Sequence, residues 1–161
     1  MESDSVPLKD LLRVHCEAAA KLNFACHQSD FAVLRDLRIE NTSEEFVFED
    51  LVVSVESDPA FIEPRRISLD RVGPGAEVSV RIDDLKLNGQ FLLDLQESVR
   101  GTLKIRVAAS DTTLVEHQQA LELLARNEWG GASFMPELLA AFCMPNDPAV
   151  DRVLSDASEI L

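Results

Sequence analysis

The residues best suited to metal or thiol chemistry are two Cys–His neighbours near the amino terminus, His15-Cys16 and Cys26-His27. A metal site needs several such groups to converge. Adjacent residues of a strand point to opposite faces, and two cysteines ten residues apart on one straight strand would lie ~33 Å apart. They could meet only if the chain folded back. We therefore interpret both cysteines as small core residues and both histidines as surface residues, and we expect no metal.

Cys143 and Ser133 are the remaining candidates for a nucleophile. Cys143 lies between Phe142 and Met144 on a predicted apolar helix face, which is typical of a buried side chain rather than a reactive thiolate. Ser133 follows two glycines but does not sit in a G-x-S-x-G pattern, and helix capping accounts for it. Neither glycine pattern that binds nucleotide phosphates occurs. The sequence therefore predicts no enzyme and no cofactor.

The charge of the chain disfavours nucleic acid as a partner. The formal net charge is −14, from 29 acidic and 15 basic residues, and binding to phosphates requires clustered cations. Arg65-Arg66 is the only adjacent basic pair and is typical of a solvated strand end. Four carboxylates cluster around a turn without a calcium-loop pattern, so we interpret them as a solvated loop: Glu44, Glu45, Glu49 and Asp50.

The cellular compartment is predicted from the apolar runs, the first ten residues and the cysteines of the sequence. No run approaches the ~18 apolar residues of a membrane span, and the start MESDSVPLKD does not resemble a secretion signal. The three cysteines are spaced far from any C-x-x-C pattern. We expect reduced thiols in a cytoplasmic protein that does not bind membranes.

Residues 12–27 show an alternation of apolar and polar positions. The apolar residues occupy the even positions: Leu12, Val14, Cys16, Ala18, Ala20, Leu22, Phe24 and Cys26. A period of two places them on one face of a strand, whereas a helix would spread them around its circumference. The alanines in the middle favour a helix by propensity alone. We predict one long strand, or two strands sharing a bend, with a helix as the alternative.

The rest of the chain to residue 124 also reads mainly as strand. Alternating segments bounded by turn residues predict strands at 31–39, 51–55, 67–69, 76–82, 103–107 and 114–124, and a helical turn within 85–99. Seven or eight strands with one buried face each predict a mainly β protein, an antiparallel immunoglobulin-like β-sandwich with one or two carboxy-terminal α-helices. No two cysteines are placed for the inter-sheet disulfide, so the likeness concerns architecture only.

The predicted organisation has three parts: a flexible lead-in at 1–10, the sandwich at 11–124, and a Trp/Gly junction with helices at 125–161 that pack on or lead out of the sandwich. The helices are predicted at 134–144 and from Pro148 onward. The second helix reaches the end of the chain without a capping residue or breaker. This ending predicts that the chain is a piece of a longer polypeptide.

The junction carries the one candidate for a docking or anchor segment: Asn127, Glu128, Trp129, Gly130 and Gly131. In the anchor interpretation, the ring of Trp129 packs against the sandwich while the glycines allow a sharp turn. In the docking interpretation, the same aromatic residue forms part of a surface for a neighbouring domain or another protein. The two interpretations are compatible, and the sequence leaves both open.

The segment LARNEWG at 124–130, followed by PELLAAF at 136–142 and Pro145-Asn146, resembles a recurring segment of large bacterial superfamily one DNA helicase-related proteins. Cys143 departs from the valine expected there. The resemblance implies that this region is the amino-terminal part of a very long polypeptide with transglutaminase-like, helicase and nuclease-like regions downstream. No catalytic residue is carried over. The matching positions are Asn127, Glu128, Trp129, Gly130, Pro136, Leu139, Ala140, Ala141, Phe142, Pro145 and Asn146.

Two functional hypotheses follow. The first is a non-catalytic scaffold or protein-interaction module of a helicase-related protein, in DNA repair or defence against foreign DNA, with downstream domains of the same polypeptide or another protein as partner. The second is a free-standing β-sandwich adaptor or ligand-binding protein. A carbohydrate-binding version would be expected to expose aromatic residues, and the chain has no Tyr and one Trp.

Overall fold

Strands dominate the described part of the chain. The computed structural model describes residues 8, 11–29, 31–133, 136, 138 and 139. Within them the elements are β1 (Leu12–Ala18), β2 (Lys21–Leu22), α1 (Phe24–Gln28), β3 (Leu34–Asn41), β4 (Phe48–Asp58), β5 (Arg65–Val72), β6 (Glu77–Ser79), α2 (Gly89–Asp94), β7 (Val99–Ala109) and β8 (Thr112–Leu123).

These strands form two sheets. One has the order β1-β3-β6 and the other the order β2-β8-β7-β4-β5. The mainly β, sandwich-like architecture predicted from the alternating segments is therefore confirmed. The prediction of an antiparallel sandwich needs one correction, because β2 pairs with β8 in parallel. The chain begins in the smaller sheet and crosses to the larger one after β1, so its first strand is divided between the two sheets.

The core fills the space between the sheets. The inward residues of β4 and β7 have no exposed surface: Leu51, Val53, Val55, Leu103, Ile105 and Val107. In the β4–β7 register, Val53 stands opposite Val107 and Val55 opposite Ile105, so the two central strands present one continuous apolar face. Burying each such side chain contributes about 1.5–3 kcal/mol. The alternation of apolar and polar residues in the sequences of β4 and β7 therefore arises from the burial of one face of each strand.

The predicted long strand at 12–27 is correct only in part. Residues 12–22 form two strands that share a bend at Ala19, whose amide N–H donates to the carbonyl of Val33 (2.9 Å). Residues 24–28 form a helix instead of a strand. The cause is Asn23, whose side-chain oxygen accepts from the amide N–H of Cys26 and caps the helix at its amino end.

The predicted strand at 76–82 is also shorter in the structure. β6 ends at Ser79, and only the amide N–H of Val80 still bonds to β3, at the carbonyl of Leu37. The chain then crosses towards the other sheet, where Leu87 forms a bridge with Ile62. Strand β5, in contrast, is longer than the predicted 67–69. Long-range partners therefore set the ends of both strands.

Two turn-forming segments of the sequence, Gly73-Pro74-Gly75 and Ser110-Asp111-Thr112, form turns between strands in the structure. Gly75 has a φ of 62° in the Gly73-Pro74-Gly75 turn. Ser110 and Asp111 have φ values of 44° and 65°, as the two central residues of a tight β7–β8 hairpin do. The predicted helical turn within 85–99 is confirmed as α2.

The carboxy-terminal helices predicted at 134–144 and from Pro148 lie outside the described residues, apart from three positions. Of these, Leu138 is buried and belongs to the core. Among the described residues, no helix has the length and apolar character that crossing a membrane requires.

Candidate functional site

The chain leaves the sandwich through a tight turn after β8, which we call the exit turn (residues 125–128). The amide N–H of Glu128 donates to the carbonyl of Ala125 (2.9 Å) and closes the turn. The amide N–H of Arg126 donates to the carbonyl of Leu95 (2.9 Å), at the end of α2. The exit turn is therefore held by its own backbone and by the neighbouring helix.

A buried asparagine holds the exit turn from the other side. Asn23 has no exposed surface, and its Nδ2 donates to the carbonyl of Glu128 (2.9 Å). Its Oδ1 accepts from the amide N–H of Cys26 (3.1 Å) and from the thiol of Cys26 (3.3 Å). One side chain thus caps α1 and binds the exit turn, 105 residues later in the chain.

The carboxylate of Glu128 also bonds to the sandwich. Its Oε2 accepts from the Ser98 hydroxyl and from the amide N–H of Ala125 (3.4 Å). Ser98 lies between α2 and β7. Both the main chain and the side chain of Glu128 are therefore tied to residues that precede β8.

The other residues of the predicted docking or anchor segment lie around this turn. Trp129 is half-buried and packs against the core, and Gly131 has a φ of 91°, a conformation that L side chains rarely adopt. Gly130 lies between them and is partly buried, and Asn127 is exposed. The packing of Trp129 is compatible with the anchor interpretation. Both the anchor and the docking interpretation stay predictions.

Of the Cys–His neighbours, Cys26-His27 are a core and a surface residue, whereas His15 and Cys16 are both partly buried. Cys26 is fully buried while His27 is exposed. His15 Nε2 lies 2.7 Å from Glu40 Oε2 on the outer face of the smaller sheet. Burial, with a smaller contribution from the charge of Asp36, raises the pKa of the Cys16 thiol to about 11. Within the described residues, no three His, Cys, Asp or Glu side chains converge as metal ligands would.

The charged clusters singled out in the sequence are solvated. Arg65 is bonded to the carboxylate of Asp84, and both side chains are about half exposed. The four-carboxylate cluster at 44–50 is exposed and has no ion pair among the described residues. On the outer face of the larger sheet, Lys104 and Arg106 of β7 pair with Asp58 and Glu116.

A groove of about 980 Å³ opens beside α1, and the sequence did not predict it. It forms where the segment after β6 leaves β3. Its lining includes Cys26 and His27 of α1, Leu34 and Arg35 of β3, and Ile82 and Leu87 of the crossing segment. Because distant parts of the chain supply these residues, no local motif could have revealed the groove.

Comparison with models of protein families yields no match for this chain, and a search of curated proteins also finds none.

Proposed function

We propose that this chain is a non-catalytic scaffold or protein-interaction module at the amino-terminal end of a large helicase-related protein. The observation that carries the proposal is the fixed exit of the chain. A simple linker needs no contacts with the domain that precedes it. Here Asn23, Ser98 and Leu95 all bond to the exit turn, so the sandwich sets the direction in which the following segment leaves.

The strand order supports an immunoglobulin-like form of the sandwich. In such folds strands A, B, E and D form one sheet, and strands C, F and G form the other. The orders β1-β3-β6 and β2-β8-β7-β4-β5 resemble this arrangement if β1, β3 and β6 stand for A, B and E, and β4, β7 and β8 for C, F and G. Strand D has no counterpart among the described residues, and β5 is an additional strand beside β4. The divided first strand, β1 and β2, fits the same scheme. We therefore propose an immunoglobulin-like architecture for the module, without its disulfide.

The charge pattern supports a protein as the partner. Duplex DNA binding requires cations that are free to replace counterions on the phosphates. The two central cations of the larger sheet are bonded to carboxylates of the same face, and the whole chain carries a charge of −14. The proposed partners are the downstream domains of the same polypeptide or another protein, in the cytoplasm.

The proposal is tested with the purified chain. Fluorescence anisotropy with a labelled 20-base-pair duplex at about 150 mM salt measures DNA binding, and release of inorganic phosphate measures ATP hydrolysis. We expect no binding at micromolar protein and no hydrolysis above the buffer rate. Saturable binding to the duplex, or ATP turnover that copurifies with the chain, would contradict a non-catalytic scaffold.

The groove favours a second candidate, an adaptor or ligand-binding protein. It combines buried apolar residues such as Val33 and Leu87 with charged residues such as Arg35 and Lys86 at its rim. Pockets of this volume and mixed character are suited to small ligands. Titration of an isotopically labelled chain with a fragment library would support this candidate if amide shifts cluster at these residues. If the amide shifts do not cluster at these residues, the ligand-binding candidate is rejected and the scaffold function remains as the single candidate.

A further inference from the structure

We propose that α1 and the exit turn open and close as one cooperative unit, with Asn23 as the latch that joins them. This inference deepens the scaffold function and rests on it for its biological purpose. It describes how the direction of the outgoing chain is controlled.

The side chain of Asn23 holds two elements at once. Asn23 supplies the capping oxygen for α1 and the amide donor for the carbonyl of Glu128. Because Asn23 is fully buried, water does not reach the latch to replace either bond. Movement of the Asn23 side chain therefore breaks the cap and the exit contact together.

Helix α1 is not stable without its tertiary contacts. A helix of five residues is too short to be stable without tertiary contacts, since nucleation costs more than so few bonds return. Its amino end depends on Asn23, whose backbone N–H also faces the Cys26 thiol (3.5 Å). Release of the latch is therefore expected to unfold α1 locally, while the sheets remain intact.

The residues just before Asn23 are also bonded to β8 and to Leu124, the residue that follows it. The amide N–H groups of Glu122 and Leu124 donate to the carbonyls of Ala20 and Leu22 (2.9 and 2.8 Å). The next amide, Arg126, bonds to Leu95 instead, and the side chain of Asn23 then bonds to the carbonyl of Glu128. Residues 20–23 are thus bonded to β8 and to the exit turn that follows it.

Helix α1 connects the latch to the groove. Cys26 and His27 of α1 form part of the groove wall, only three and four residues beyond Asn23. Anything that displaces this wall acts on the same helix that the latch caps. By thermodynamic linkage, a change in the exit turn also alters the groove wall. The latch therefore couples the groove to the outgoing chain.

Native-state hydrogen exchange of the full chain tests the latch. The reporters are the amides of Cys26 and Ser29 for α1, and of Arg126 and Glu128 for the exit turn. We expect Asn23→Ala to accelerate exchange at both groups by at least about tenfold. Asn88→Ala is the matched control, because Asn88 caps α2 in the same way but donates to an exposed carbonyl. It should leave the amides of Cys26, Ser29 and Glu128 within about twofold of the unaltered chain. Arg126 is not compared in this control, because its amide bonds to Leu95 at the end of α2.

A second variant acts from the opposite side and preserves the buried asparagine. Ser98→Ala removes the hydroxyl that donates to Glu128, at an exposed position where the fold should tolerate alanine. Faster exchange at Arg126, Glu128 and Cys26 together would support the latch. Acceleration confined to the exit turn would overturn it, as would acceleration confined to α1 in Asn23→Ala. The scaffold function fails separately, if the native polypeptide proves no larger than this chain.

Discussion

Gly101 offers a sharp test of how the end of the sandwich near the exit turn is packed. It lies in β7, where an added Cβ would stand 2.8 Å from Cε1 of Phe61 and 3.0 Å from Cδ1 of Leu123. Both of these side chains have no exposed surface. Leu123 is the last residue of β8, just before the exit turn. Gly101→Ala therefore forces a methyl group into filled space beside the site.

The expected magnitude follows from two opposing effects. Overpacking a filled core costs about 1–3 kcal/mol. Replacing glycine by alanine restricts the unfolded chain and returns about 0.4–1 kcal/mol. The two ranges combine to a net loss of about 0–2.6 kcal/mol in the free energy of unfolding of Gly101→Ala, with a central value of about 1.3 kcal/mol.

Gly73→Ala is the matched control for this prediction. The nearest atom to a Cβ at Gly73 is the Cβ of Ala76 at 4.0 Å, so the same chemical change meets open space. We expect its free energy of unfolding to stay within about 0.5 kcal/mol of the unaltered chain or to rise. Both variants are measured by urea unfolding followed by circular dichroism. Equal stability of the two variants would refute the packing described around Gly101.

Three further predictions concern the site and the thiol. Asn23→Ala should lower the free energy of unfolding by about 2–3 kcal/mol, and Asn88→Ala by about 1 kcal/mol. The reason is that only Asn23 combines a helix cap with a fully buried donor. Equal losses for the two variants in urea unfolding would argue against the double role of Asn23. The folded-state pKa of Cys16 is raised from 9.0 to about 11, so the contribution of this thiol to stability should be complete below pH 9. It should decline by about 1 kcal/mol, after allowance for partial exposure, as the pH rises to about 11. If the free energy of unfolding of Cys16→Ala falls with pH as steeply as that of the unaltered chain, this thiol is not the cause. Trypsin should cleave after Arg81 before Arg126, since both are exposed but only Arg126 lies in a bonded turn; mass spectra showing the reverse order would indicate a loosely held exit.

The sheet architecture could be predicted because β4, β7 and β8 are half-buried. A strand with one buried face must alternate, so the residues from Leu103 to Val107 report their own environment. Tight turns could be predicted for a similar reason, since Gly75 and the Ser110-Asp111 pair have backbone conformations that only some residues adopt readily. These signals are local, and the sequence carries them directly.

The helix α1 could not be separated from strand by periodicity. Phe24 and Cys26 continue the alternation of residues 12–22, and five residues are too few for a helical period to emerge. The decisive signal was Asn23, a preferred helix-capping residue. Its second role, the bond to Glu128, depends on a residue 105 positions away and had no local signature.

The groove and the shortened β6 depend on the same kind of long-range information. Residues 76–82 alternate well enough for a strand, but after Val80 the chain leaves β3 and Leu87 forms a bridge with Ile62. Where a strand ends is decided by which partner edge is available, and a single alternating segment does not specify its partner. The candidate docking or anchor segment, in contrast, was singled out from its composition, because a lone tryptophan beside two glycines is distinctive, and its role stays a prediction.

The size of the native polypeptide tests the central claim most directly. An antibody raised against the purified chain would detect it in an immunoblot of the source cells. A scaffold module of a helicase-related protein predicts a band far above the 17.8 kDa of this chain. A single band near 17.8 kDa would contradict that account and leave the groove-bearing adaptor as the function to pursue.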